Sequence, residues 1–247
     1  MNLILLERTE PDASGAVRLE NGRARHLIEV LKVTPGQAVR VGLVDGPPGT
    51  ATVAAVEPGA VTLHCAFGGG VPDRPAVDLL LALPRPKVMR RLWAQLAALG
   101  VGQIILTNAE RVERDYFDTH LLTPAVYRPL LVEGLQQARD TRLPVVSIHR
   151  RFRVLVEDHL DTRAGDAARL VADPDSATSV ATAVGNAAAG RILLAVGPEG
   201  GWNPFEVGLL ETHGFRSVGM GPRTLRTDTA CVALLSLVHA ARTGRIV

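Results

Sequence analysis

The stretch RILLAVGPEGGWNPFE, residues 191 to 206, changes character twice over a short distance. The apolar run at its start is typical of a buried strand, and Gly197 to Gly201 is too rich in glycine to continue that strand. Asn203 then fits a helix N-cap, with Pro204 at the first helical position and Glu206 three residues past the cap. The stretch therefore predicts a strand, a loop and a helix, which is one unit of an α/β fold.

The same alternation of buried strands and helical patterns extends over the chain from Val77 onward. Strands are predicted at Val77 to Leu83, Val101 to Thr107, Leu143 to Ile148, Arg169 to Ala172, Arg191 to Val196 and Phe215 to Met220, and helices at Lys87 to Leu99, Thr123 to Arg139, from Asn203, and Cys231 to Ala241. This alternation favours a mostly parallel sheet covered by helices on both faces. The alanine-rich segment Ser176 to Gly190 fits either a helix or a loop.

The first third of the chain has a different pattern. Short extended runs at Leu3 to Leu6, Ala38 to Val44, Ala51 to Val56 and Ala60 to Ala66 alternate with turn-forming sets such as residues 45 to 49. These runs predict a small β-barrel, interrupted by a helix from Arg23 to Val33 with Leu27, Val30 and Leu31 at helical spacing. Glycine and proline crowd Gly68 to Pro75, which predicts a linker and a domain boundary near residue 72.

Composition excludes several classes of protein. With 247 residues, 47% hydrophobic and 21% charged, the chain is an ordinary globular protein rather than a disordered one. Its apolar runs are too short to span a bilayer and its N-terminus lacks the order of a secretion signal, so we expect a cytoplasmic protein without membrane association. Neither Cys65 and Cys231 nor the seven histidines show a metal-ligand spacing, so no metal is expected.

The net charge is only +2, but basic residues are clustered. Basic clusters with few acidic residues occur in the first third of the chain, at residues 84 to 91 and at residues 139 to 153. A single cluster is typical of a solvated surface, whereas several together favour a polyanionic partner.

A second loop accompanies the first. Gly221 to Ala230 follows the strand that ends near Met220 and leads into the last helix. Successive strands of such a sheet are usually close, and ligands lie at the carboxyl ends of its strands. Neither loop carries a dinucleotide or P-loop fingerprint, so the pair predicts a different kind of cofactor site.

The two loops together resemble a known family. GPEGG at Gly197 to Gly201, followed by MGPRTLRTDTA at Met220 to Ala230, is similar to the paired motifs of the ribosomal small-subunit methyltransferase E family of the SPOUT superfamily. The resemblance extends weakly over nearly the whole chain. It implies a PUA-like, RNA-binding β-barrel domain over residues 1–72 and a SPOUT methyltransferase domain with a trefoil knot over residues 73–247.

The resemblance also implies an activity: S-adenosylmethionine-dependent methylation of N3 of a uridine in 16S ribosomal RNA. The partner would be this RNA, free or in the small-subunit particle, and the enzyme would be a homodimer. The uridine would have to leave its base pair before it reacts. Two alternatives remain, namely a SPOUT methyltransferase that acts on another base or on a ribose, and a catalytically silent RNA-binding protein on this scaffold.

Site residues follow from the motif positions. The expected cofactor-binding residues are Ala172, Gly197, Pro198, Glu199, Gly200, Gly201, Met220, Gly221, Leu225 and Arg226. Arg226 is the candidate catalytic residue, because a cation stabilises the anion that forms as uracil N3 loses its proton. Its alternative role is to brace the loop, and Arg223 is the weaker catalytic candidate.

Glu199 is expected to support the N-terminus of the helix that follows it, and its alternative role is to attract the positive sulfonium or orient a substrate donor. Asp228 is expected to cap the last helix or pair with an arginine. The residues expected to hold RNA phosphates are Arg23, Arg25, Lys32, Arg85, Lys87, Arg90 and Arg91. The chain departs from the family pattern at Arg85, Gln95 and Ala98, which stand where the family usually has two lysines and a glutamate.

Overall fold

The structure, a computed structural model, describes residues 3–185, 190–221 and 223–244. The chain divides into two compact units. One comprises the N-terminal residues up to Arg74 together with Leu131–Leu143, and the other comprises Pro75–Leu130 and the chain from Pro144 onward. The segment Leu131–Leu143 lies in the first unit, although the sequence pattern assigned it to the second domain.

The first unit contains a five-stranded sheet in the order β1-β3-β4-β5-β2. The strands are β1 (Ile4–Leu6), β2 (Ala16–Leu19), β3 (Ala38–Leu43), β4 (Pro48–Glu57) and β5 (Ala60–Phe67). β1 pairs with β3 in parallel and the other pairs are antiparallel. The sequence pattern missed β2, which has only four residues, and β4 begins at Pro48, inside the predicted turn.

The predicted helix in this unit is shorter than expected and ends in a wider, π-helical turn. A helical turn, α1 (Gly22–Arg25), is followed by a π-helical turn over His26–Val30. Leu27 is buried in the core, whereas Val30 and Leu31 are 64% and 42% exposed. The helix ends because Lys32 adopts a left-handed backbone (φ 49°). The helical spacing of Leu27, Val30 and Leu31 therefore does not correspond to a single buried face.

The second unit contains a six-stranded sheet in the order β11-β9-β10-β6-β7-β8, and every pair in it is parallel. The strands are β6 (Val77–Ala82), β7 (Val101–Thr107), β8 (Val145–His149), β9 (Ala168–Ala172), β10 (Ile192–Val196) and β11 (Phe215–Val218). All residues of β6 and β10 are buried. The predicted parallel sheet of an α/β fold is confirmed.

Helices connect these strands, as a parallel sheet requires. They are α2 (Pro86–Ala98), α3 (Pro124–Ala138), α4 (Phe152–Val154), α5 (Leu160–Ala164), α6 (Val180–Gly185), α7 (Pro204–Thr212) and α8 (Thr227–Arg242). The sequence pattern missed α4 and α5, and α8 begins at Thr227 rather than at Cys231. The alanine-rich segment contains α6, and its residues 186–189 lie outside the described residues. Within the described ranges, no helix is both long and apolar enough to cross a bilayer.

Candidate active site

Three loops of the second unit meet at one edge of its sheet. They follow β9, β10 and β11, which are neighbours in the order β11-β9-β10 and run parallel, so their carboxyl ends lie side by side. The loops enclose a cavity of ≈ 320 Å³, here named the loop cavity. Its walls are Arg111, residues 172–175, residues 196–202, Val207, residues 218–221, residues 223–225, Thr227, Ala230 and Leu234.

The residues expected to bind the cofactor lie together around this cavity, with one exception. Ala172, Gly197, Pro198, Glu199, Gly200, Gly201, Met220, Gly221 and Leu225 all line it, and so does Arg223. Arg226 does not line it. Pro222, which is part of the second motif, lies outside the described residues.

Backbone clearance explains the glycines of the first motif. A Cβ on Gly197 would lie 3.0 Å from the amide nitrogen of Trp202, which is fixed backbone, and Gly201 has a φ of 73°. The Trp202 ring is buried and packs on Phe152, with 5.3 Å between the ring centroids. A larger residue at Gly197 would therefore displace the turn and the tryptophan beneath it.

Helix α7 begins with the predicted cap. The Asn203 side chain accepts a hydrogen bond from the Glu206 N–H, and the Glu206 carboxylate accepts one from the Asn203 N–H, each at 2.8 Å. This reciprocal pair is a capping box. The second carboxylate oxygen of Glu206 accepts from the Glu110 N–H at 2.7 Å, and Glu206 is buried. One side chain thus joins the loop after β10 to the loop after β7.

Arg111 makes a second connection between the same two loops. Its guanidinium donates to the carbonyl oxygen of Gly200, and its aliphatic stem fills the space that a Cβ on Gly200 would need. The sequence pattern missed Arg111, although it follows β7 and the carboxyl-end rule applies to that strand as well. The loop cavity therefore has a fourth contributor in the loop after β7.

The loop after β11 is also held by hydrogen bonds and a close backbone contact. The N–H of Gly219 donates to the carbonyl of Thr178 at 2.9 Å, and a Cβ on Gly219 would lie 2.3 Å from the carbonyl oxygen of Ser176. The Ser176 hydroxyl donates to the carbonyl of Ser217 at 2.9 Å. These bonds fix the loops after β9 and β11 to each other before Met220 reaches the cavity.

A second cavity, of ≈ 260 Å³, lies next to the first and is here named the arginine cavity. Its walls are Arg85, Val88, Glu199, Arg226, Thr227 and Asp228, of which Glu199 and Thr227 also line the loop cavity. Arg226 is the N-cap residue of α8 and its side chain is 73% exposed. The catalytic candidate thus faces a space that adjoins the loop cavity.

Asp228 lies in the first turn of α8 and holds two arginines. Its Oδ2 accepts from Arg91 at 2.8 Å, and its Oδ1 lies 3.7 Å from Nε of Arg226. Burial alone would raise the pKa of Asp228, but the hydrogen bonds from the Thr229 N–H and Arg91 and the two arginine charges lower it overall. The carboxylate therefore stays charged and holds both cations near the start of α8.

Glu199 supports a different helix from the one expected. Its Oε1 accepts the backbone N–H of Arg85, the N-cap residue of α2, at 3.2 Å. The carboxylate thus lies at the N-terminus of α2, where a negative charge is favourable, rather than at the N-terminus of α7. The GPEGG loop is anchored in this way to the loop after β6.

Comparisons with known proteins indicate an RNA methyltransferase. Residues 72–239 match the model of an RNA methyltransferase domain. The chain is 32% identical over 97% of its length to a ribosomal RNA small subunit methyltransferase E from Treponema pallidum, of which it covers 92%. A protein of the same name from Mycobacterium bovis is 27% identical over 93% of the chain and 88% of its own length.

The chain belongs to the ribosomal RNA small subunit methyltransferase E family. Solved structures share its fold. A methyltransferase E from Neisseria gonorrhoeae bound to S-adenosyl methionine superposes with a TM-score of 0.75 at 22% identity, over 97% of both chains. An rRNA methyltransferase from Porphyromonas gingivalis superposes with a TM-score of 0.74 at 20% identity, over the full length of both.

The basic residues of this methyltransferase E chain differ in how free they are. Arg23 is committed within the first unit, since its guanidinium donates to the Leu5 carbonyl and pairs with Glu10. Arg25 and Lys32 are exposed. In the second unit Arg85, Lys87 and Arg90 are exposed around the N-terminal half of α2, and Arg91 is paired with Asp228.

Proposed function

We propose that this protein methylates N3 of a uridine in 16S ribosomal RNA and that S-adenosylmethionine is the methyl donor. The observation that carries the proposal is the shared wall of the two cavities. Glu199 and Thr227 separate a cavity built from glycine loops from one that carries Arg226. A methyl donor in the first and a base in the second would be neighbours. The relatives' names support an RNA of the small ribosomal subunit as the substrate.

The loop cavity fits this cofactor. Gly197 and Gly219 line the loop cavity without a side chain, and Val196, Val218 and Leu234 supply apolar surface for an adenine ring. Asp173 and Asp175 add carboxylates, which suit ribose hydroxyls and a positively charged sulfonium. When bound, S-adenosylmethionine supplies an electrophilic methyl group.

Arg226 has the properties that the reaction needs. As the methyl group is transferred to N3, the N3 proton leaves and negative charge develops on the imide, which a fixed cation stabilises. Asp228 limits the movement of the guanidinium from one side, and the exposed position of Arg226 gives the departing proton access to water.

N3 lies on the Watson–Crick edge, so the target uridine must leave its pair before it reacts. Contacts to the flanking phosphates would compensate the lost pairing. The exposed cations that serve this purpose are Arg25, Lys32, Arg85, Lys87 and Arg90, with Arg91 as a partner of Asp228. Arg23 is assigned to the support of its own unit rather than to phosphate binding.

The finer features of the fold belong to the same proposal. The mixed five-stranded sheet supports a PUA-like RNA-binding domain over residues 1–72, and the parallel sheet supports a SPOUT domain over residues 73–247, from which Leu131–Leu143 departs to join the first compact unit. The insertion of β9 between β10 and β11, both later in sequence, supports a trefoil knot around the loop cavity. We also propose that the protein is cytoplasmic and that it is a homodimer.

Reverse transcription of ribosomal RNA tests the function. A methyl group on N3 blocks pairing, so the polymerase should stop at one uridine of 16S RNA from the wild-type strain and read through in a deletion strain. Restoring the gene should restore the stop, and restoring it with Arg226→Ala should not. Identical stops in both strains contradict N3 methylation. A changed ribose or another changed base, detected by mass spectrometry of the same RNA, would identify the alternative methyltransferase activity.

A further inference from the structure

The arginine cavity has a donor and acceptor pattern of its own. We propose that it holds the target base and that Glu199 selects uracil over cytosine. This inference rests on the proposed function and adds the residue that reads the base. It assigns Glu199 a role beyond the support of α2.

The chemistry of the walls matches a uracil edge. Uracil presents a carbonyl, the N3–H and a second carbonyl, so it needs two donors and one acceptor. Arg85 and Arg226 are the donors of the arginine cavity, and its carboxylates are Glu199 and Asp228. Asp228 is occupied by Arg91 and Arg226, which leaves Glu199 to accept from the base.

One carboxylate oxygen of Glu199 is not used in the contact with Arg85. Its Oε1 accepts from the Arg85 N–H at 3.2 Å, and within the described part of the chain no protein donor is found for Oε2. Because Glu199 also lines the loop cavity, an N3 atom held at Oε2 would lie next to the methyl donor, and the N3 proton would pass to Oε2 and from there to water as the methyl group is transferred. The same contact would fix the reacting nitrogen and recognise its proton.

Cytosine fails this test for a physical reason. Its N3 is unprotonated and would place a lone pair against the carboxylate, which is repulsive. Cytosine can reach Glu199 only through its 4-amino group, and that contact moves N3 away from the reacting position. A site that requires a hydrogen bond rejects the analogue lacking it far more strongly than a site that reads shape alone.

The remaining walls suit a planar ring. Val88 is buried and offers an apolar surface to one face of the base. None of the six residues that line the cavity is aromatic, so stacking does not select the base there. The volume, ≈ 260 Å³, is below the usual range of about 300–1,000 Å³ for larger ligands, as expected for a single base.

Glu199→Gln tests the inference, because the amide oxygen can still accept the Arg85 N–H while the amide nitrogen donates. Wild type, Glu199→Gln and the exposed control Glu133→Gln are given small-subunit RNA with either U or C at the methylated position. Transfer of a labelled methyl group is measured on both, and S-adenosylmethionine affinity is measured by calorimetry.

We expect wild type and Glu133→Gln to prefer U by at least about 100-fold. In Glu199→Gln the preference should fall at least about tenfold, with cofactor affinity within about threefold of wild type. An equal loss of activity on U and C, with the preference unchanged, would show that Glu199 only supports the loop and would overturn the inference.

A binding measurement separates this inference from the proposed function. Uridine, cytidine and N3-methyluridine monophosphates are titrated into each protein in the presence of S-adenosylhomocysteine and followed by saturation-transfer NMR. Wild type should prefer the uridine nucleotide and Glu199→Gln should lose that preference. If wild type methylates no uridine in RNA but keeps this preference, the proposed reaction fails and the base site stands. Equal binding of all three nucleotides to wild type overturns the base site itself.

Discussion

Nε of Arg226 lies 3.7 Å from Oδ1 of Asp228, two residues further along the chain at the start of α8. The other oxygen of this carboxylate accepts from Arg91 on α2, so a single acidic group orders the catalytic candidate and joins α2 to the start of α8. The remaining polar atoms of the Arg226 guanidinium are available to a substrate.

Arg226→Ala should abolish most turnover while the fold and the cofactor site remain. Loss of one preorganised charge from the transition state costs about 100-fold to 1,000-fold in rate. We expect kcat to fall by about that factor, cofactor affinity to stay within about threefold, and the melting temperature to be unchanged. Arg226→Lys should retain part of the rate because it keeps the charge. Normal turnover in Arg226→Ala would transfer the catalytic role to another cation, first of all Arg223.

Asp228 should make the stability of the fold depend on pH. Its pKa is lower in the folded protein than the usual value of about 3.9 in an unfolded chain, so folding favours the charged form. The stabilisation is therefore complete above that usual value and is lost as the pH falls through the lowered pKa. Melting temperatures of wild type should exceed those of Asp228→Asn at neutral pH, and the two should converge in acid. A constant difference across the titration would contradict the assignment.

Glu206→Ala should destabilise the fold near the loop cavity. The buried carboxylate accepts from two backbone N–H groups, and its removal leaves both without that partner. A lost cap costs about 0.5–2 kcal/mol and an unsatisfied buried group about 1–3 kcal/mol, so we expect a loss of about 1.5–5 kcal/mol in the free energy of unfolding. Glu206→Gln should lose less, because its amide oxygen still accepts. Urea denaturation measures both, with the exposed Glu133→Ala as control.

Arg111→Ala should weaken cofactor binding rather than folding. The guanidinium holds the carbonyl of Gly200 and its stem forms part of the cavity wall, yet the residue is exposed. Removing an exposed charged hydrogen bond of about 1 kcal/mol corresponds to a rise of about fivefold in Kd. Calorimetry with S-adenosylmethionine measures the change, and the exposed Arg114→Ala should match wild type. An unaffected Kd in Arg111→Ala would show that the Gly200 turn keeps its shape without the arginine.

Two glycine substitutions should change different properties, since one lowers cofactor affinity and the other raises stability. Gly219→Ala would place a methyl group 2.3 Å from the Ser176 carbonyl oxygen, so the loops after β9 and β11 must separate and cofactor affinity should fall sharply. Gly208 lies inside α7, and a Cβ there meets nothing within 4 Å. Gly208→Ala should stabilise the protein by up to about 1 kcal/mol through helix propensity. Thermal melts and cofactor titrations of both variants check the contrast, and normal affinity in Gly219→Ala would contradict it.

Local chemistry predicted the elements that carry the loop cavity. The buried strand β10 is a continuous apolar run, and β6 is one apart from Asp78, which pairs with Arg191. The cap of α7 was visible in Asn203, Pro204 and Glu206 because each acts on its immediate neighbours. Elements whose apolar signal is short or interrupted, such as β2 and α4, were not distinguishable from loops.

Long-range partners could not be predicted in the same way. The sequence does not reveal that Arg111 holds Gly200, or that Glu199 bonds the Arg85 N–H rather than supporting α7, because each partner is set by tertiary packing across many residues. Val30 and Leu31 show the converse case. Their spacing fits a helix, but a π-helical turn and the left-handed Lys32 direct them away from the core.

The strand order has a consequence for the newly synthesised chain. In the sheet formed by the described residues, β9 lies between β10 and β11, which both follow it in sequence, and one of the two neighbours of β6 is the later strand β10. At roughly 5–20 residues per second of synthesis, these strand edges would stay unpaired for seconds before their partner strands emerge from the ribosome. The cofactor site is therefore completed late in the synthesis of the enzyme. Slow elongation or early termination would leave aggregation-prone, inactive chains rather than partly active ones.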